Sequence, residues 1–217
     1  MHWAAALITA AAGVPAGHAA SVLIGRLPGG PGTGQRGVPR LVPGMLTVTG
    51  FAAMGLRFGL TPVLPAYCYL AVLSVTLGFI DAQCRRLPDV LTLSAYPAGA
   101  ALLGAAAVSV PGGPRLLAHA LAGAALAGGL YLVLACLYPA GIGWGDVKLS
   151  GVLGMFLGWL GARATVTGLV SPFVLAAVSG AAMIAAGAAT RKTRIPFGPY
   201  MVGAAVAVIL ASPFLPA

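Results

Sequence analysis

Across 217 residues only Asp81, Asp89 and Asp146 carry a negative charge, and glutamate is absent. Between its sparse charges the chain runs in apolar stretches. Residues 1–25, 58–80, 90–114, 116–138, 164–190 and 195–217 are each long enough, at about 20 residues, to cross a hydrocarbon core. Segments 41–56 and 149–162 are shorter. A soluble domain carries about 25% charged residues, whereas this chain carries 7%. Its 32 glycines suit helices that approach closely in lipid. The expectation is an all-α polytopic integral membrane protein, a single domain over 1–217 with about eight transmembrane helices.

Eight spans put loops 26–40, 81–89, 139–148 and 191–194 on one side of the bilayer. Those loops hold Arg26, Arg36, Arg40, Arg85, Arg86, Lys148, Arg191, Lys192 and Arg194, while the opposite side receives only Arg57, Arg115 and Arg163. By the positive-inside rule the first side is cytoplasmic and both termini face out. All three aspartates then lie at the cytoplasmic face. Arg57 is expected to snorkel from the far end of its span. Gly17-His18-Ala19 offers small residues for signal-peptide cleavage, but Met1-His2-Trp3 lacks a basic n-region.

The formal charge of +9 is dispersed between spans, so no nucleic-acid partner is expected. The expected surroundings are a lipid bilayer. Cys68, Cys84 and Cys136 form no C-x-x-C pair and read as free buried thiols. His2, His18 and His119 form no H-E-x-x-H, so no metal site and no cofactor are expected.

Each acid needs its own account. Asp89 follows Pro88 at the start of a span, where a helix cap is the simplest role. Asp81 closes an apolar run, at a helix end where the dipole disfavours a negative charge. Either Arg85, at i+4, pairs with it, or it is held there for a function. Asp146 stands in G-I-G-W-G-D-V-K, directly before a span, with Lys148 as a neighbour. It can cap that helix, or the glycines at 141, 143 and 145 can let the backbone bend towards a ligand. Two carboxylates facing one another cannot both ionise, so they share a proton. One then takes a proton from water and the other protonates a peptide carbonyl or leaving nitrogen. Acids inside a membrane cost about 2.5–3.5 kcal/mol each on insertion scales, which favours a functional reading. In R-K-T-R-I-P-F-G-P-Y, Pro196, Phe197, Gly198 and Pro199 interrupt the chain at the membrane edge. Such a break either presents a backbone edge to a substrate or simply joins two helices.

Together these segments resemble the prepilin peptidases, the type IV leader peptidases with a G-x-G-D active site. Gly17 to Pro28 looks like the family's first span and R-L-P. Asp81 to Asp89 fits D-x5-[IL]-P-[DN], Gly143 to Lys148 fits G-x-G-D-x-K, and Ile195 to Tyr200 fits I-P-F-G-P-[FY]. The resemblance implies an intramembrane aspartyl endopeptidase with Asp81 and Asp146 as catalytic pair. Asp89, Gly143, Gly145, Lys148, Pro196, Phe197, Gly198 and Pro199 would support the site or bind substrate. The implied partners are prepilins, pseudopilins and related proteins, with a short basic leader, a glycine before the cut and a hydrophobic helix after it. The implied location is the bacterial inner membrane, as a multi-pass protein with its active site facing the cytoplasm. Bifunctional members insert a methyltransferase domain between the first two spans. Here that place holds only a Gly/Pro-rich loop, 26–43, too short for a separate S-adenosylmethionine domain, so methyltransferase activity is not expected.

A proton- or cation-coupled transporter is the alternative from another class, since paired aspartates and broken helices also suit ion coupling. Such acids favour the bilayer midplane, whereas these sit at span ends, and no internal repeat is present. Presenilin-type enzymes share G-x-G-D but carry Tyr-Asp and Pro-Ala-Leu patterns missing here. A rhomboid would need a histidine partner for Ser171 or Ser179, and His119 lies near an outer loop.

Overall fold

The computed structural model describes residues 2–26, 41–84, 87–139, 141–190, 193 and 195–212. Among them the chain forms eight helices: α1 (His2–Arg26), α2 (Leu41–Phe58), α3 (Leu64–Cys84), α4 (Asp89–Ser109), α5 (Gly113–Leu137), α6 (Trp144–Trp159), α7 (Ala162–Ala185) and α8 (Gly198–Ala211). Six of these, α1 to α5 and α7, are long and apolar enough to cross a membrane. With 16 and 14 residues, α6 and α8 are about 24 and 21 Å long, short of the roughly 30 Å core. The chain is thus a polytopic all-helical membrane protein. Arg36, Arg40, Arg85, Arg86, Arg191, Lys192 and Arg194, which carry most of the expected charge asymmetry, lie outside the described residues, as does nearly all of loop 26–43.

Several boundaries differ from the sequence expectation, each for a local reason. The second span runs on to Phe58 before Gly59, at φ +63°, turns the chain away from the helix. The seventh ends at Ala185, two residues before another left-handed glycine, Gly187 at φ +68°. The last helix starts at Gly198 rather than 195, with Pro199 in its first turn, where a missing N–H costs nothing.

The bundle centres on α6. Every side chain from Leu149 to Trp159 is buried, and α4, α5, α7 and α8 all pack around it. A helix apolar all round is stable only when enclosed. Glycines set the spacing: a Cβ on Gly154 would run into the Gly123 carbonyl oxygen, and one on Gly158 into the His119 carbonyl oxygen. The α1–α2 hairpin closes the same way, with a Cβ on Gly17 only 2.8 Å from the Gly44 carbonyl oxygen. Outward faces carry bare apolar side chains such as Leu7, Val108, Leu126 and Val178, as contact with lipid requires. Hydroxyls in these helices mostly return to their own backbone: Thr9, Thr47, Thr76 and Thr165 each donate to a carbonyl one turn back.

At the end opposite the aspartates, Arg57 bonds the other helix terminus. Its guanidinium donates to the carbonyls of Ile209, at 3.1 Å, and Ser212, closing the C-terminal end of α8, and lies over the Phe58 ring. A cation at the negative end of a helix dipole is favourable. The expected free snorkelling gives way to this latch.

Candidate active site

Asp81, Asp89 and Asp146 all stand at one end of the bundle, where α3 ends and α4, α6 and α8 begin. Asp81 lies in the last turn of α3 and is buried. Its Oδ2 accepts a hydrogen bond from the Gly198 N–H at 2.9 Å. That N–H is the first of α8, so the positive end of α8 opposes the unfavourable negative end of α3. A Cβ at position 198 would fall 2.7 Å from the same oxygen. The glycine of P-F-G-P is therefore needed for close approach to Asp81.

Asp146 occupies the first turn of α6, ahead of the buried stretch that starts at Leu149. Its Oδ2 accepts the Gly143 N–H at 3.1 Å, closing the turn back onto the helix start. Burial pushes its carboxyl up to about 6; the Gly143 N–H acts against that, and the negative charge of Asp81 adds to it. The two carboxylates therefore lie within electrostatic reach of one another. Of the two roles the sequence left open for Asp146, capping of its own helix is the one seen at this turn.

The glycines of G-I-G-W-G-D act differently from the expectation. Neither Gly141, Gly143 nor Gly145 is left-handed, and Gly143 is extended at φ −81°. Gly145 instead makes room for Leu87, whose Cβ would lie 3.0 Å from an added methyl. Gly141 does the same for the Tyr138 ring.

Asp89 is not the helix cap expected of it. Pro88 takes the N-cap position of α4, with no side-chain cap bond, and Asp89 follows in the first turn. Its Oδ1 pairs with the Lys148 Nζ at 2.6 Å, tying the start of α4 to the start of α6. Lys148, two residues past Asp146, thus serves the third acid. Its own carbonyl accepts the Tyr96 hydroxyl at 2.8 Å, and Tyr96 fits because residue 151 is glycine. The Asp81–Arg85 pairing lies outside the described residues.

Pro196 and Phe197 precede α8 without helical structure. Phe197 turns inward onto Phe173 and Tyr131, with ring centroids 5.1 and 6.4 Å away. This aromatic cluster anchors the segment that delivers Gly198 to Asp81. Tyr96, Tyr131 and Phe173 gave no sequence signal, because single aromatics in apolar helices look like ordinary core or lipid-facing residues.

The Ser171 hydroxyl is turned to the Thr167 carbonyl of its own helix. None of the three cysteines is in a disulfide; Cys68 is buried as expected, whereas Cys136 is exposed. Among the described residues no cluster of three or more His, Cys, Asp or Glu could hold a metal ion.

Comparison with known proteins bears on this end of the bundle. The type IV leader peptidase family matches residues 68–187, which include Asp81, Asp89 and Asp146. A prepilin leader peptidase/N-methyltransferase of Aeromonas salmonicida is 37% identical over 135 residues, 58% of this chain and 42% of the relative. One from Bacillus subtilis is 28% identical over 170 residues, covering 76% and 63%. One from Burkholderia pseudomallei is 33% identical over 153 residues, covering 64% and 44%. The chain thus spans less than two thirds of the length of each of these relatives. No solved structure matches.

Proposed function

The chain belongs to the type IV leader peptidase family, and we propose that it is an intramembrane aspartyl endopeptidase removing basic leaders from prepilins or pseudopilins. The observation that carries this reading is the pair of acids at one end of the bundle, each facing a helix N-terminus. Asp81 takes the first N–H of α8, and Asp146 the Gly143 N–H at the head of α6.

In the proposed reaction Asp81 and Asp146 share one proton, because two like charges in reach of one another are not both ionised. The ionised member draws a proton from a water molecule as the oxygen attacks the scissile carbonyl. The protonated member gives its proton to the carbonyl oxygen, and the tetrahedral carbon collapses as the leaving nitrogen is protonated. The elevated carboxyl of Asp146 suits it to carry the shared proton. Asp89 and Lys148 hold the first turns of α4 and α6 together, and the Phe197 cluster holds the P-F-G-P segment against Asp81. They position the acids without taking part in proton transfer.

The basic loops of the sequence put the acids at the cytoplasmic face of a bacterial inner membrane. There a leader can stay outside the bilayer while the helix behind it remains in lipid. Residues 1–217 act as one peptidase domain in this reading, with the short connection between α1 and α2 on the cytoplasmic side; Leu41 to Pro43, expected in that loop, belong to α2. Methyl transfer is not part of it.

The test is to reconstitute the chain in liposomes with a reporter carrying a lysine-rich leader, a glycine and an apolar helix. Mass spectrometry of the products is expected to find a released leader ending at the glycine. An intact reporter alongside pH-driven proton flux would replace the peptidase reading with ion transport.

A further inference from the structure

α2, α3 and α8 leave between them an open apolar groove of about 490 Å³. Ala82 and Pro199 line it, and they are the chain neighbours of Asp81 and Gly198, so one end of the groove lies beside the turns that carry the carboxylate and its N–H donor. From there it follows α3 back to Ala71 and α8 on to Leu210, about 17 Å along each helix, or three turns. Its lining includes the small residues Gly50, Ala53, Ala71, Gly78 and Gly203. A Cβ on Gly203 would have nothing within 4 Å, so that position faces open space.

One lining side chain is out of keeping with a lipid-filled crevice. Ser74 is only 6% exposed, and among the described residues its hydroxyl has no hydrogen-bond partner. Thr76, two residues on, returns its own hydroxyl to the Val72 carbonyl. An unmet hydroxyl away from water is costly, and an acyl chain offers it nothing. A closely packed helix does, through a backbone carbonyl or a small polar side chain. Interfaces lined by small residues are the kind on which membrane helices approach closely.

We propose that this groove docks the apolar helix that follows the scissile bond of the substrate, an inference that rests on the peptidase activity proposed above. About three turns of that helix pack against the small-residue lining, and Ser74, on the face of α3 that lines the groove, turns its enclosed hydroxyl to donate to it. The residue preceding the helix is then delivered to Asp81 and Gly198. Recognition of the helix is thereby separate from recognition of the leader.

The experiment uses two probes in liposomes: a peptide with a lysine-rich leader, a glycine and an apolar helix of about 20 residues, and the same peptide cut short just after the scissile bond. Wild-type chain, Gly203→Leu and Ser74→Ala are compared by the ratio of kcat/KM for the long probe to that for the short one. Gly203→Leu puts an apolar side chain into the groove at a position where the added Cβ meets no protein atom, and is expected to lower the ratio about tenfold or more through KM. Ser74→Ala, which removes an unmet hydroxyl and should fold at least as well, is expected to lower it severalfold. Where the short probe is cut too slowly to measure, KM for the long one carries the comparison. A ratio unchanged in both variants means that the groove holds lipid, and overturns the proposal while leaving the activity intact. A wild type that cuts neither probe overturns the activity reading itself.

Discussion

Asp81 and Asp146 stand at the same end of the bundle but are held by opposite means. Asp81 is buried at the wrong end of its own helix, and its hydrogen bond comes from Gly198, 117 residues away. Asp146 is half-buried at the favourable end of its helix, and its bond comes from Gly143, three residues back. The bond from Gly198 to Asp81 forms only when α8 has docked on α3; that from Gly143 to Asp146 is built within one turn. An acid placed by tertiary packing is expected to be brittle towards changes in its partner, and one placed locally to be tolerant.

The largest effect expected from that difference is at Gly198. In Gly198→Ala the new methyl would meet the Asp81 carboxylate at 2.7 Å. Displacing a reacting group by about 1 Å costs about 100-fold, so leader cleavage should fall by at least that factor, with a lower melting midpoint. Full activity in this variant would break the comparison at its stronger side. Next come the residues joining the two α-helix starts. Lys148→Met and Asp89→Asn should each slow cleavage about tenfold while changing stability by less than about 1 kcal/mol, because the pair is largely exposed. An exchanged pair, Asp89→Lys with Lys148→Asp, should recover part of the rate; no recovery would mean that the charges act separately.

A third effect reads on stability. The carboxyl of Asp146 rises from 3.8 to about 6 on folding. Its neutral form is favoured in the folded protein, so this contribution is full below about 3.8 and is lost as pH rises through about 6. Asp146→Asn should therefore melt later than wild type at pH 7.5, by on the order of 1–3 kcal/mol, and the gain should vanish near pH 4. An equal melting midpoint at both pH values would contradict the burial cost. The smallest effect is expected at Gly143. Its φ of −81° suits any residue, and an added Cβ would lie 3.4 Å from Asp146, an ordinary contact. Gly143→Ala should keep cleavage within about threefold of wild type, and a loss as large as that of Gly198→Ala would erase the distinction.

The same contrast marks what could be read from the sequence. Apolar runs between isolated charges marked each of the eight helices but left their ends out by as much as about six residues, and Pro15, Pro97 and Pro172 lie within helices rather than at their ends. Local features were legible too, including the turn at Asp146 and the break at P-F-G-P, although α8 starts within that break rather than ahead of it. Features that depend on which helices become neighbours were not. Asp89 looked like a cap, because nothing in the sequence says that Lys148 will come within 2.6 Å of it. For Asp81 the sequence offered Arg85, four residues on, whereas the Gly198 N–H that it accepts carries no sequence signature. The glycines before Asp146 suggested an unusual backbone; none of them is left-handed, and the room is used by Leu87 and Tyr138. The enclosure of α6 by four helices is again a property of the assembled bundle.

The central claim is that two acids held so differently work as one unit. It is tested most directly by measuring leader cleavage for wild type, Asp81→Asn, Asp146→Asn and the double variant at matched protein levels. If the acids share a proton and a water, each single change should abolish cleavage, by about 1,000-fold or more, and the double variant should be no worse than either. A single variant that still cuts, or losses that multiply in the double variant, would contradict the shared dyad.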